Sequence, residues 1–402
     1  MRVFKLGPSP LSQSGDLSYP RGMETFALDV ELVGTYPPTE CGLATYTSNL
    51  RAAIAGTGAT ARVVRLVDAP ESGELSEEVA ALWVRSDAHG VEAALSVLDR
   101  CDVVMAQHEF GIYPGRDGEA IVELVRRCQR PVVTVLHTVL AHPSRHQAAI
   151  VDALAQGSRK LVVHSNAARC RLMRVHDLDP GSVAVIPHGA SSNLIGRSSI
   201  SSKEPLLLTW GLLGPGKGVE RGIEAVAILR RQGFDVRYLI AGETHPNVRA
   251  REGERYREML VDLARERGVV DLVDFDPTYR DWPSLRAVVR SASLVLVPYD
   301  SRDQVTSGVL VEALAGGKPV VATAFPHAVE LSQTGAVAVV DHEAPGQLAC
   351  VISEILSNSA LYTSMENAAR TEGARYDWAI VGQQFAALAQ EALQPPNLVV
   401  AS

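Results

Sequence analysis

The chain is short of cysteine and of long apolar runs, and each shortage excludes something. Its five cysteines, Cys41, Cys101, Cys128, Cys170 and Cys350, are odd in number, scattered and without a Cys-x-x-Cys pair. That usage offers no zinc framework or disulfide scaffold, and it suits free thiols in a reducing cytoplasm, the expected location. No run of about 18 apolar residues occurs, so no membrane-spanning helix is expected. No strongly basic amphipathic helix is present to favour a membrane surface either. Positive charge is also in deficit, 38 Lys and Arg against 46 Asp and Glu, for a formal net charge of −8. Such a balance gives no support for a nucleic-acid partner. Residues 1–22 lack the apolar core of a secretory signal and are expected to form a flexible lead-in.

What is present points to a two-domain α/β protein. At 402 residues the chain exceeds the length at which single cores stop growing. Strand patterns at 26–33, 59–66, 102–107, 131–136, 160–164 and 183–187 alternate with helical ones. The first helical stretch has Leu43, Tyr46, Leu50 and Ile54 on one face and starts at Gly42, a strand-to-helix junction where backbone can approach a ligand. His108-Glu109 and His137-Thr138 end two strands, and polar groups there face the ligand crevice of a doubly wound sheet. Arg169, Arg171 and Arg174 read as a solvated helix face. His142 and His146 have helical spacing but no third ligand nearby, so no metal site is expected. The serine-rich stretch 191–204 has no helical periodicity and reads as a linker between domains at 23–190 and 205–375. A last helix and tail occupy 376–402.

The second half restarts the alternation and carries the sharper motifs. Gly211 to Gly218, GLLGPGKG, is a glycine-rich loop between a strand and a helix. Its glycines, Gly218 among them, admit backbone N–H groups to a phosphate, and Lys217 adds a point charge. The loop is neither a Walker loop nor a GxGxxG fingerprint, which weakens a hydride-transfer reading. Further on, a strand ending at Val297 runs into a polar loop with Asp303, Gln304, Thr306, Ser307 and Gly308, then a helix expected to begin near Val305. Free N–H groups at a helix start bind phosphate. Glu312 lies four residues past Gly308, about 6 Å along a helix, where its carboxylate can accept from a sugar diol. One element could thus hold both the diphosphate and the ribose of a nucleotide sugar. Asp274-Phe275-Asp276 has the form of a metal-binding Asp-x-Asp but sits at the end of a strand, directly before Pro277, and reads as structural.

These motifs together resemble family 4 glycosyltransferases, retaining enzymes of the GT-B fold, from about residue 26 to the last helix. TYPPTECGLATYT at 35–47, AQHEFGIYPG at 106–115 and LHT at 136–138 look like the family's crevice loops. IPHG at 186–189 looks like its interdomain crossing, and YDWAIVGQQF at 376–385 resembles the helix that returns to the first domain. The resemblance implies two Rossmann-like domains facing across a cleft, an acceptor domain first and a donor domain second. It implies transfer of a hexose from a nucleotide diphosphate sugar, GDP-mannose or UDP-glucose in type, to a hydroxyl of a sugar, glycan or small molecule. Beyond that co-substrate it implies no cofactor and no metal. His137 would lie beside the transferred sugar and Gly42 near the donor phosphates and acceptor. Lys217 would meet the diphosphate, the backbone of Thr306, Ser307 and Gly308 the phosphate and sugar, and Glu312 the ribose. Two positions depart from the family. Leu212 stands where relatives carry an arginine, and the Glu-x7-Glu motif reads Gln304-x7-Glu312, so that Gln304 or Asp303 must replace the first glutamate. Alternatives kept open are a GT-B epimerase or phosphorylase and a non-catalytic sugar-nucleotide binder.

Overall fold

The structure, a computed structural model, describes residues 28–394 apart from 72, 192–204, 279 and 281. The expected lead-in, nearly all of the expected linker and the tail from 395 lie outside the described residues. The first sheet holds β1 (Asp29–Gly34), β2 (Thr60–Val67), β3 (Val79–Val84), β4 (Val103–His108), β5 (Val132–Leu136), β6 (Lys160–Val163) and β7 (Val183–Val185). Its spatial order is β3-β2-β1-β4-β5-β6-β7, with every pair parallel. The second sheet holds β8 (Leu206–Trp210), β9 (Arg237–Ala241), β10 (Val273–Asp276), β11 (Leu294–Val297), β12 (Val320–Thr323) and β13 (Val337–Val340). Its order is β10-β9-β8-β11-β12-β13, again all parallel.

Parallel strands are covered by helices on both faces, which is why the inner ones read as unbroken apolar runs. All five residues of β5 and all four of β11 are buried. The order of each sheet reverses between its first and fourth strands, β1 and β4 or β8 and β11. Ligands of such sheets bind outside the strands' C-terminal ends at that reversal. In the second sheet this selects the loops that follow Trp210 and Val297.

Several elements differ from the sequence expectation for local reasons. β3 and the Gly90–Leu98 helix lie outside the expected set; β3 is an edge strand, half-buried along much of its length, with little alternation to detect. The single helix expected over 250–267 is two, Pro246–Glu252 and Arg255–Glu266, broken where Gly253 takes φ +63°. The helix expected from Val305 begins at Gly308, because Ser307 is its extended N-cap, its Oγ accepting from Leu310 N–H at 3.3 Å.

The two sheets are joined by a pair of chain crossings pinned to each other. Ala190 N–H donates to Tyr376 O at 2.7 Å, and Trp378 packs flat on Gly189, where a Cβ would come within 2.4 Å of the indole. Beyond it, the Trp378–Leu393 helix returns to the first sheet and buries Val381, Phe385, Leu388 and Ala389 in that core. It lies directly on the Gly42–Ala55 helix: a Cβ at Gly382 would stand 2.5 Å from the Ala53 carbonyl oxygen. Backbone cannot yield as a flexible side chain does, so the helices must separate. Gly382→Ala is expected to lower stability by about 1–3 kcal/mol, read as a fall in the thermal unfolding midpoint with little change in helix content.

Candidate active site

On the second sheet, the loops after β8 and β11 touch through their backbones. Asp300 N–H donates to Gly216 O at 3.0 Å. Gly218 has φ +63°, and a Cβ there would fall 1.7 Å from the Pro298 oxygen, so only glycine fits. Lys217 reaches from this loop over the Tyr299 ring, its Nζ 4.7 Å from the centroid. Beside it the Gly308–Ala315 helix presents its N-terminus. Leu310 N–H is held by Ser307 Oγ, while the N–H groups of Gly308 and Val309 have no acceptor among the described residues. Ser307 N–H donates to His327 Nδ1 at 3.0 Å, which fixes that imidazole as neutral with its proton on Nε2. One turn into the helix, Glu312 Oε2 accepts from the indole N–H of Trp210, the last residue of β8, at 3.2 Å. Burial of its carboxyl, opposed only by that hydrogen bond, pushes Glu312 up to about 7.

The facing wall, from the first sheet, is a layer of neutral rings. His108 ends β4, while His137, His164 and His188 follow β5, β6 and β7. Tyr46 sits among them, 4.6 Å from His137, 5.2 Å from His164, 5.0 Å from His188 and 5.4 Å from Trp378 between ring centroids. His137 Nε2–H donates to Gln107 Oε1 at 2.9 Å, which leaves Nδ1 as an acceptor. Burial first, then the neighbouring imidazoles His164, His188 and His108, hold His137 well below the usual histidine range. His164 and His188 use their Nδ1–H on the Ile186 and Gly189 carbonyls and are lowered by burial to about 3 and about 4. His108 is buried and lowered to about 4 for the same reason. His188 reaches across to the second sheet's helix: a Cβ on Gly308 would lie 3.5 Å from its ring.

Between the walls lies a cavity of about 260 Å³ lined in part by His137, Thr138, Arg171, Asp303, Gln304 and Thr306. The structure therefore brings His137 together with Asp303, Gln304 and Thr306. Lys217, Gly218 and Glu312 stand outside it on the second sheet, and Gly42 opens the first helix of the facing one. A Cβ on Gly42 would meet no atom within 4 Å, so internal packing does not demand glycine there. Gln304 donates its side-chain N–H to Thr306 O, and Asp303 carries its exposed carboxylate 3.5 Å from Arg171. The aspartates of the Asp-x-Asp are each paired with arginine, Asp274 with Arg237 and Asp276 with Arg280. His146 bonds Asp117 and Glu119. Among the described residues no group of three or more His, Cys, Asp or Glu converges as metal ligands must, and no helix is long and apolar enough to cross a membrane.

Four residues here were not expected from sequence: Tyr46, Trp210, His164 and Arg171. His164 was findable, because strand-then-histidine recurs at the ends of β4, β5 and β6 and just past β7. Arg171 was read as solvated, yet it is buried and bonded to the Val139 and Asp303 carbonyls.

Two doubly wound parallel sheets, with a helix N-terminus at the second sheet's reversal facing the strand ends of the first, match the GT-B fold of glycosyltransferases. Residues 192–372, which contain the whole second sheet, match glycosyl transferases group 1. That match covers the second domain, the family 4 resemblance is compatible with it, and the class of activity it supports is glycosyl transfer. The D-inositol 3-phosphate glycosyltransferase of Corynebacterium diphtheriae is 28% identical over 353 residues, 81% of this chain and 78% of that protein. The alpha-D-kanosaminyltransferase of Streptomyces kanamyceticus is 28% identical over 190 residues, 46% of each chain. HepE of Anabaena, solved with UDP, superposes with a TM-score of 0.71 over 90% of this chain and 100% of its own, at 19% identity, a likeness of fold.

The neutral histidines set a pH limit. Their folded values lie below the ordinary value of about 6.5, so the unfolded chain takes up protons first. The histidines' contribution to stability is complete above about pH 6.5 and is lost as pH falls through about 4, by up to about 3 kcal/mol for a single buried histidine. The thermal midpoint is expected to fall steeply from pH 6.5 to 4, and less steeply in His164→Gln. Equal slopes in the two proteins would count against the histidine layer as the cause.

Proposed function

We propose that the chain is a retaining hexosyltransferase that moves a sugar from a UDP-hexose to a hydroxyl of a small polar acceptor. The observation that carries this is the Gly308–Ala315 helix, with a free N-terminus for a diphosphate and Glu312 one turn on for a ribose diol, beside the Lys217 loop. The preference for UDP over GDP draws support from the HepE complexes with UDP and with UDP-glucose. The small acceptor draws support from the names of the two curated relatives. The cavity of about 260 Å³ lies below the range of about 300–1,000 Å³ for whole drug-sized ligands, which suits one sugar ring.

In this reading the bond from sugar C1 to the β-phosphate oxygen breaks while the acceptor oxygen bonds C1 on the same face. The acceptor's proton passes to the departing phosphate oxygen. Negative charge grows on the diphosphate, where Lys217 and the helix N-terminus stabilise it without reorganisation. A metal ion is therefore not required by the reading. His137, neutral and with Nδ1 free to accept, holds a sugar hydroxyl rather than acting as an acid. Gln304 Oε1 accepts from another sugar hydroxyl while its N–H stays on Thr306 O.

A screen of nucleotide sugars with released UDP as the readout tests this. Lys217→Ala is expected to lower turnover about 100-fold or more and to weaken UDP binding. EDTA is expected to leave the wild-type rate unchanged. Wild-type activity in Lys217→Ala would remove the diphosphate assignment. A second reading, a binder without turnover, is favoured by Leu212 in place of an arginine and by Gln304 in place of a glutamate; it predicts UDP binding with no UDP released from any donor.

A further inference from the structure

Gln304 carries no charge, so its use in glycosyl transfer depends on where its backbone holds it. The three carbonyls of residues 303–305 are each held from outside the loop. Arg171 Nη1 donates to Asp303 O at 2.5 Å, His327 N–H to Gln304 O at 3.3 Å, and Ser165 Oγ to Val305 O at 2.5 Å. Two of these three donors, Arg171 and Ser165, belong to the Asn166–Val175 helix of the first sheet and its N-cap. The same guanidinium donates to Val139 O at 3.3 Å, two residues beyond His137. A third tie strengthens the contact: Glu330, on the second sheet's Pro326–Ser332 helix, accepts from Asn166 N–H, Asn166 Nδ2 and Ala167 N–H at 3.1, 3.0 and 2.7 Å.

We propose that Arg171 is a positioning residue for sugar transfer: it fixes the Gln304 loop of one domain against the His137 loop of the other. The reasoning rests on the glycosyl-transfer reading above. An arginine is seldom buried without a specific partner, and here one guanidinium nitrogen, Nη1, donates to both carbonyls and so ties the two loops at a single point. Those carbonyls flank the two side chains that face each other in the 260 Å³ cavity. Lys217, Glu312 and the free N–H groups of the Gly308–Ala315 helix lie beyond the clamp, so nucleotide binding does not need it. Arg171 thus separates holding the nucleotide from placing the sugar.

The test is Arg171→Met and Arg171→Lys in the full chain. Arg171→Met is expected to lower kcat about 100-fold, the effect of a misplacement near 1 Å, with the calorimetric Kd for UDP unchanged within about twofold of wild type. Arg171→Lys, which keeps one donor group, is expected to recover part of that loss. Amide exchange over 303–307 is expected to quicken in Arg171→Met in the absence of any donor. Wild-type kcat in Arg171→Met, or a loss of UDP affinity in step with kcat, would overturn the proposal. If the wild-type protein transfers nothing, the functional reading fails instead, and amide exchange still decides the clamp: unchanged exchange over 303–307 overturns it.

Discussion

The hydrogen bond from Ala190 to Tyr376 holds the two places where the chain passes between its sheets. With Trp378 pressed on Gly189 beside it, this pin fixes which ends of the sheets face each other. Most of the site stands at the C-terminal ends of parallel strands or on the loops that follow, with Tyr46, Arg171 and Glu312 added from helices. His108, His137, His164 and His188 come from one sheet, and Trp210, Lys217 and the start of the Gly308–Ala315 helix from the other. A rotation at the crossing would separate the cavity's two walls and withdraw Val305 of the second sheet's loop from the first sheet's core. The site is a property of the pairing of the domains, and the clamp on residues 303–305 is the pairing acting on the donor loop.

The electrostatics follow from burial. The first sheet supplies rings kept neutral by desolvation, and the second supplies a helix N-terminus and one lysine. A protonated imidazole beside the helix N-terminus would be repelled by its positive end, and burial already holds His188 and His327 low, so the helix N–H groups and Lys217 are the positive charge offered to an anion. Glu312 behaves in the opposite sense. Its carboxyl is raised to about 7, so in the absence of ligand its ionisation weakens the fold as pH rises from about 4.5 toward 7. Hydroxyl donors from a ribose would relieve that penalty.

Much of the fold was legible because parallel strands announce themselves as short apolar runs between turn signals. The two crossings were marked by Ile186-Pro187-His188-Gly189 and by Tyr376-Asp377-Trp378. A helix after the Val297 strand end was legible because turn and glycine chemistry is local, but its start was placed near Val305, and only the Ser307 cap sets it at Gly308. Arg171 was not. Its neighbours Arg169 and Arg174 suggested a wet face, and nothing local reveals that one arginine of three meets a loop 132 residues away. Trp210 was read as the end of a strand, and only the packed structure turns its indole toward Glu312. The histidine layer falls between these cases: each residue is visible at a strand end, but their convergence on Tyr46 depends on the order of the sheet.

The central claim is that the Gly308–Ala315 helix receives the distal phosphate of a nucleoside diphosphate. Calorimetric titration of UDP, UMP and uridine into the same protein measures this most directly, because the three ligands differ only in their phosphates. The account predicts that removing the β-phosphate weakens binding about tenfold or more, a loss of at least about 1.4 kcal/mol, with a further loss from UMP to uridine. Equal affinity for UDP and UMP would contradict it.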